Sequence, residues 1–375
     1  MGFRSLRPAL LTCTALAVIT FAIPARSQEA ASTTDNGETR LNTIVVKGKR
    51  GANKTLVSDS PQVSQVTAED IQRNQINSFR DLGRSLEPGV DFVKSEGGVT
   101  IRGLGGPRIL TTIDGIPLPY LDNFARRGGP ATTTNVAGGS DSFDFSSIST
   151  LDVLRGSDSS RLGSGALAGG IALRTLEPED LIGEGRDWGG MAKATFDSEE
   201  MSFGGSAAVA KRIDNTSVLF QGTYRRGQER QNQGTVDTIG ATRTEANSGD
   251  FNQNNLLFKL RQDLEGGHTV GLTAERYRYN SDTELKTLTG AATGSSRVWA
   301  VGEYDGFDDT ARDRVSLDYS FLNPAEDAVI QSARLSVYWQ ETTKNAGATG
   351  RRVGAVAGPW LRDNELQESA IGFTG

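Results

Sequence analysis

The chain has 375 residues, 40 basic and 46 acidic side chains, and a formal net charge of −6. That length predicts two or three domains, the acidic balance argues against a nucleic-acid binder, and the absence of a long apolar run after the N-terminus excludes helical membrane spans. A membrane β-barrel stays open, because its strands average to mild polarity; one histidine and one cysteine leave little for metal or nucleophile chemistry.

The first 27 residues read as a secretory signal. Arg4 and Arg7 form a charged start, Ala9 to Ala22 a short apolar stretch, and Ala25-Arg26-Ser27 a small-residue cleavage site. Its removal leaves 37 basic against 46 acidic residues, a charge of −9. Cys13 leaves with it, so the mature chain needs no disulfide in an oxidising compartment. Residues 28–54 read as a flexible arm. Its first part is small and polar, and it then carries the β-prone tetrad Thr43, Ile44, Val45 and Val46. That tetrad is either an edge strand of the next domain or a peptide that adds a strand to a partner's sheet.

Residues 55–178 predict a compact α/β-like unit. Ser64-Gln65-Val66 is a short strand. Thr67 with Asp70 is an acidic version of a capping box for a helix from Ala68 to about Asn74. A second helix runs from about Ser78 to Leu86, with Leu82 and Leu86 on one face. Strands follow at 99–103, 109–113, 151–156 and 171–173, and Asp114-Gly115 is a hairpin turn signal. The clusters RGLGG (102–106) and GSGALAGG (163–170) carry neither the Lys-Ser/Thr of a phosphate loop nor a dinucleotide fingerprint in repeating βαβ units. Close backbone packing accounts for them better.

From Trp188 onward the pattern becomes long alternating strands. Val218, Phe220 and Tyr224 oppose Ser217, Gln221, Thr223 and Arg225. Leu256, Phe258 and Leu260 oppose Asn255, Lys259 and Arg261. Val315, Leu317, Tyr319 and Phe321 oppose Arg314, Ser316, Asp318 and Ser320. This is one apolar and one wet face per strand. The strand from His268 to Tyr279 alternates less cleanly. Links at 211–215, 263–267 and 323–328 are short, whereas those at roughly 227–250, 280–310 and 342–364 are long and polar. Short turns on one rim and long loops on the other mark an outer-membrane barrel rather than a soluble sandwich. Tyr224, Tyr277, Tyr279 and Trp339 are read as interfacial girdle residues.

Together these segments resemble a TonB-dependent outer-membrane receptor. TIVV (43–46) resembles the TonB box. SQVTAEDIQ (64–72), LEPGVDF (86–92), VTIRGLGGPRILTTIDGIPL (99–118) and STLDVLRGSDSSRLGSGALAGGIALRT (149–175) resemble the successive signatures of the plug domain. Asp152 stands where the family usually has glutamate, and Ser157 where proline is common. The resemblance implies an α+β plug domain at 55–178, followed at 188–375 by part of an antiparallel transmembrane β-barrel. About eight strands fit there, where a plugged transporter has about 22, so an N-terminal fragment is expected. Arg102, Gly103, Asp114, Gly115, Asp152, Arg155 and Gly156 are the implied structural and plug–barrel interface residues. The implied partner is TonB, docking on Thr43–Val46, in an outer membrane whose lipid faces the strands.

Phe124-Ala125-Arg126-Arg127, LRTLEPEDLIGEG (173–185) and GQERQNQG (227–234) resemble the haem and haemoglobin subgroup. Haem or a haem protein is thus the expected cargo and a ferric siderophore the alternative, with no permanent cofactor, no covalent chemistry and no catalytic residue. Tyr120, Arg126 and Arg127 are the ligand-binding candidates; the metal-ligating residues are left unassigned. Tyr120 reads equally as an axial ligand or as packing beside Pro119. His268, at a short and therefore periplasmic turn, faces the wrong compartment for an external ligand. Two rivals remain. A passive porin would explain the strands but not TIVV, and a secreted β-sandwich enzyme lacks a nucleophile–base constellation.

Overall fold

The computed structural model describes Thr55 and residues 62–93, 98–122, 137–157, 165–290, 298–323, 329–354 and 356–375. The signal, the arm with Thr43, Ile44, Val45 and Val46, and Arg126 and Arg127 lie outside the described residues.

The small N-terminal domain opens with β1 (Val63–Thr67), α1 (Ala68–Arg73) and α2 (Phe79–Ser85). The Thr67–Asp70 spacing forms a reciprocal cap on α1: the Thr67 hydroxyl accepts the Asp70 N–H at 3.2 Å, and the Asp70 carboxylate accepts the Thr67 N–H at 3.1 Å. Then come β2 (Val90–Val93), β3 (Gly98–Ile101), β4 (Leu104–Gly105), β5 (Ile109–Ile113) and β6 (Ile116–Pro117). The last strands are β7 (Leu121–Asp122), β8 (Ala137–Gly138), β9 (Ile148–Arg155) and β10 (Gly169–Thr175). The main sheet has the order β1-β9-β10-β5-β6, with β10 parallel to β5 and the other pairs antiparallel. β10 is buried at every position, as expected of a central strand covered on both faces. The core joins Val66, Ile71, Leu82, Ile113, Leu151, Val153 and Ile171, with Phe79 edge-on to Phe143 and Phe145 at 5.4 Å.

A short helix, α3 (Pro178–Leu181), leads into β11 (Trp188–Asp197), β12 (Ser202–Ile213), β13 (Thr216–Gln228) and β14 (Gly249–Leu264). β15 (His268–Glu284), β16 (Val298–Leu322), β17 (Ser332–Val353) and β18 (Gly358–Thr374) complete one eight-stranded antiparallel meander, each strand beside its chain neighbour. The wall is apolar outside and polar inside. Val209, Phe220, Phe258, Ala274, Val315, Trp339 and Ile371 lie in one register row; in the row beside it Gln221, Leu257, Glu275, Arg314 and Gln340 are buried. Phe220, Leu317 and Val337 are exposed at 51, 63 and 49%, which suits lipid-facing positions.

Two expectations about this region are corrected. The loops drawn at 280–310 and 342–364 are largely strand, because β15, β16, β17 and β18 continue far beyond the apolar belt. Outside the lipid both faces can be polar, so alternation disappears while the backbone ladder continues. Tyr277 and Tyr279 are not girdle residues. Tyr277 pairs in register with Asn255 and Arg312 on the inner face, and the Tyr279 ring stacks on Phe251 at 5.9 Å. Arg276 and Arg278 take the outer positions above the belt, Arg278 bonded to Asp313 at 2.5 Å, and this inversion is what blurred the alternation of β15.

The orientation is testable. Phe220→Arg should destabilise the wall by about 2–4 kcal/mol, the cost of a cation facing lipid near the midplane, while Phe220→Leu should cost less than about 1.5 kcal/mol. Urea titration of folding into lipid vesicles measures both; equal effects would refute the lipid-facing assignment.

Candidate functional site

The small domain meets the wall through a hairpin tip. Ile113 and Ile116 pair across Asp114-Gly115, with φ of 51° and 83° at the two turn residues. Two positive φ values make this a tight primed turn, where Asp is tolerated and Gly is preferred. The Asp114 N–H donates to the Leu173 carbonyl at 2.8 Å. Its carboxylate accepts the Thr175 N–H at 2.9 Å and the Thr175 hydroxyl at 2.7 Å.

That carboxylate points at cations of the wall. Arg314 Nη2 lies 2.9 Å and Lys259 Nζ 3.7 Å from Asp114 Oδ2. Lys259 also donates to Glu177 Oε1 at 2.6 Å. Arg261 holds Glu177 with two nitrogens, Nε to Oε2 at 2.9 Å and Nη2 to Oε1 at 3.0 Å, and lies 3.2 Å from Asp318. Deeper along the same face, Glu275 Oε2 sits 2.9 Å from Arg312 and 3.0 Å from Arg314. These two contacts are ionic in distance but not aligned as hydrogen bonds. Four cations, Lys259, Arg261, Arg312 and Arg314, thus meet four carboxylates, Asp114, Glu177, Glu275 and Asp318.

Lys259, Arg312 and Arg314 are at most 1% exposed, so each would carry a large desolvation penalty without its partner. Carbonyls of the small domain add further contacts. Arg314 Nη1 donates to Ile113 O at 3.1 Å, Arg312 Nε to Ser142 O at 2.8 Å and Gln340 Nε2 to Pro117 O at 3.0 Å. Gln253 donates to Asp144 Oδ2 at 2.7 Å. Burial pushes the Asp114 carboxyl up, but Lys259, Arg314 and Thr175 outweigh it and hold the group well below the usual carboxylate range. Glu177 is likewise raised by burial and lowered further by Lys259 and Arg261, with a net downward shift. Asp141 goes the other way, because its burial exceeds the effect of Lys344.

Of the residues expected at this interface, only Asp114 and its turn partner Gly115 stand there. Arg155 instead pairs with Glu87 inside the small domain and donates to Ser64 at 2.9 Å, with Gly156 (φ 122°) ending the strand after it. Arg102 and Gly103 form the exposed turn between β3 and β4, with φ of 53° and 78°. Asp152 is fully buried on β9, and the Thr55 hydroxyl donates to its Oδ2. The half-buried Tyr120 ring packs over Gly98 and Gly106. His268 bonds Tyr319 through Nδ1 at 2.8 Å and stacks on Phe321 at the short turn. Lys259, Arg261 and Arg314 had been legible as inward residues of their strands; Glu177 and Glu275 carried no sequence signal for their pairing.

Residues 56–170 match the family described as the TonB-dependent Receptor Plug Domain. Over those residues the chain is a TonB-dependent receptor plug domain. It is 31% identical over 239 residues to lactoferrin-binding protein A of Neisseria meningitidis serogroup B, covering 60% of this chain and 24% of that protein. It is 24% identical over 337 residues to transferrin-binding protein A of the same organism, covering 72% and 37%. The FrpB iron transporter of Neisseria meningitidis shares the fold with a TM-score of 0.56 at 16% identity, over 83% of this chain and 49% of that one. The Serratia marcescens hemophore receptor HasR, solved with its hemophore HasA and heme, does so with a TM-score of 0.54 at 15% identity, over 84% and 46%. The receptor therefore spans less than half of each of these proteins. Its fold is a plug followed by antiparallel strands of an outer-membrane barrel. No helix among the described residues is long and apolar enough to cross a membrane.

Removing a buried cation should be costly. Arg314→Met leaves Asp114 and Glu275 short of charge and should destabilise plug seating by about 3–5 kcal/mol, measured by hydrogen exchange of β5 and β6 in the membrane-embedded receptor. The pH dependence has a defined sign. Asp114 and Glu177 have lowered folded-state values, so their stabilisation is complete above the unfolded values of about 4. It should fall away as pH drops below that range, and plug protection that stays constant from pH 6 to pH 3 would contradict the assignment.

Proposed function

We propose that the receptor takes up an iron-containing ligand across the outer membrane, driven by TonB acting on the arm at Thr43–Val46. The observation that supports this most is the character of the plug–wall contact. The plug has its own apolar core, made only of plug residues. A separate apolar cluster, Leu176, Ile182, Ala208, Ala210, Leu219 and Leu257, fixes only the segment that leaves it for β11. The other plug–wall contacts described above are charge pairs and hydrogen bonds, whose attraction is largely offset by desolvation. A domain with an independent core and an ionic seat can move without unfolding, as a gate must and a structural filler need not.

In this reading the ligand arrives at the rim with the long connections. The arm pairs with TonB by strand addition, main chain to main chain, and the plug is then rearranged. Haem or haem released from a haem protein is the preferred cargo, in line with the subgroup resemblance and with a structural neighbour solved with heme; a ferric siderophore is the alternative. The reaction is transport, with the ligand as cargo rather than cofactor.

Val45→Pro removes one backbone donor from the added strand. It should leave ligand binding at the cell surface unchanged and abolish accumulation inside the cell. Undiminished accumulation of labelled haem by cells carrying the variant would sink the mechanism; uptake that also survives collapse of the proton gradient would point to a passive channel.

A further inference from the structure

The strands rise far beyond the ionic seat. Tyr304 and Arg314 are ten positions apart on β16, or about 33 Å at the rise of an extended strand. At that outer end the pairing of β16 with β17 breaks register between Trp299 and Tyr304. Bulges of this kind re-aim side chains. Here the bulge lays Trp299 flat on Tyr304, with ring centres 4.0 Å apart and planes within 2°, and Trp360 of β18 closes on them at 4.7 Å from Trp299. Gly350 makes the stack possible, since a Cβ there would meet Tyr304 at 2.8 Å and Trp299 at 3.3 Å. Tyr304 is buried with Leu285 and Ala348, and Trp299 and Trp360 pack against this cluster.

The Arg352 guanidinium sits over this platform, 5.1 Å from the Trp299 ring and 5.3 Å from the Trp360 ring. Both distances are within cation–π range. Its neighbour Arg351 is saturated by Glu303, at 2.6 and 2.5 Å. Arg352 has no ion pair or hydrogen bond among the described residues, and its Nε is buried without a partner. A guanidinium within cation–π range of two indoles, with its donors unused, is preorganised for an anionic oxygen group.

We propose that Arg352, clasped by Trp299 and Trp360, docks a carboxylate of the incoming ligand at the outer end of the wall. This rests on the uptake reading above and deepens it, because it assigns a carboxylate-bearing cargo and the residue that selects for it. A haem propionate and a carboxylate of a ferric chelate share that chemistry.

The test uses the full-length receptor in detergent with two probes, haemin and haemin dimethyl ester, whose carboxylates are masked. Wild type should bind haemin more tightly than the ester. Arg352→Gln should weaken haemin binding by about 10- to 100-fold and leave the ester unchanged, with Arg352→Lys between the two. Equal weakening of both probes would overturn the assignment while leaving the uptake reading in place. A parallel titration of tryptophan fluorescence with ferric citrate serves the alternative cargo. A response in wild type that is lost in Arg352→Gln supports the site even if haemin does not bind, and that pattern moves the cargo from haem to a carboxylate chelate. No Arg352-dependent response to either haemin or ferric citrate would overturn the proposal.

Discussion

Lys259, Arg312 and Arg314 are buried cations on the inner face of strands whose outer face carries Phe258, Val315 and Leu317. Everything else about the receptor follows from having to satisfy them there. Apolar surroundings offer no solvation to an ammonium or a guanidinium, and among the described residues Glu275 is the one wall carboxylate within ion-pair distance of the two arginines. Asp114 and Glu177 must come from the plug side, at the tip of a two-residue turn and at the cap of α3. The wall is therefore electrically incomplete without the plug, and the plug presents its carboxylates only because Asp114-Gly115 can adopt the two positive φ values of that turn.

Such an interface stabilises less than an apolar one of equal size, since desolvation offsets much of the attraction. It is selective instead. A plug shifted by two residues along β16, the next inward position, would face Arg312 or Ser316 with the wrong partners, so the charges fix register without making the contact irreversible. The bonds also run continuously from the arm side. Thr55 is tied to Asp152 on β9, β9 pairs with β10, and Thr175 at the end of β10 holds Asp114 against Arg314 and Lys259. A load applied near Thr55 reaches the seat through one strand pair.

The wall was legible from sequence where lipid imposes its rule. Each outward residue in the belt must be apolar, and the period of two placed Phe220, Phe258 and Leu317 on the correct side. It also placed Lys259, Arg261 and Arg314 on the opposite side. Above the belt that rule lapses, so the outer halves of β15, β16 and β17 read as loops although their ladders continue. Tyr277 and Tyr279 misled for a related reason: an aromatic near a strand end fits a girdle equally well whichever face it occupies, and only register decides. In the plug, local chemistry was sufficient for the Thr67 cap and the Asp114 turn. The partners of Arg155 and Arg314 were not, because an ion pair between residues 68 or 200 positions apart leaves no trace in spacing.

The polar upper strands also explain how a membrane protein has a mean hydropathy of −0.39. The apolar outward rows occupy only part of each strand, and the outer halves of β15 to β18 carry polar residues on both faces. The connecting loops are fastened to each other. Asn247 and Thr287 exchange two hydrogen bonds, at 3.0 and 3.1 Å, between the connection after β13 and the one after β15, and Lys286 reaches Ser248 at 2.8 Å. Arg243 is buried within its own loop against Asp237 and the Ala246 carbonyl. Ordering these segments before a ligand arrives removes much of the entropy cost of binding. Under the proposed uptake function, recognition at the outer rim and release at the ionic seat are separated by the length of the strands, so each can be strong or weak without compromising the other.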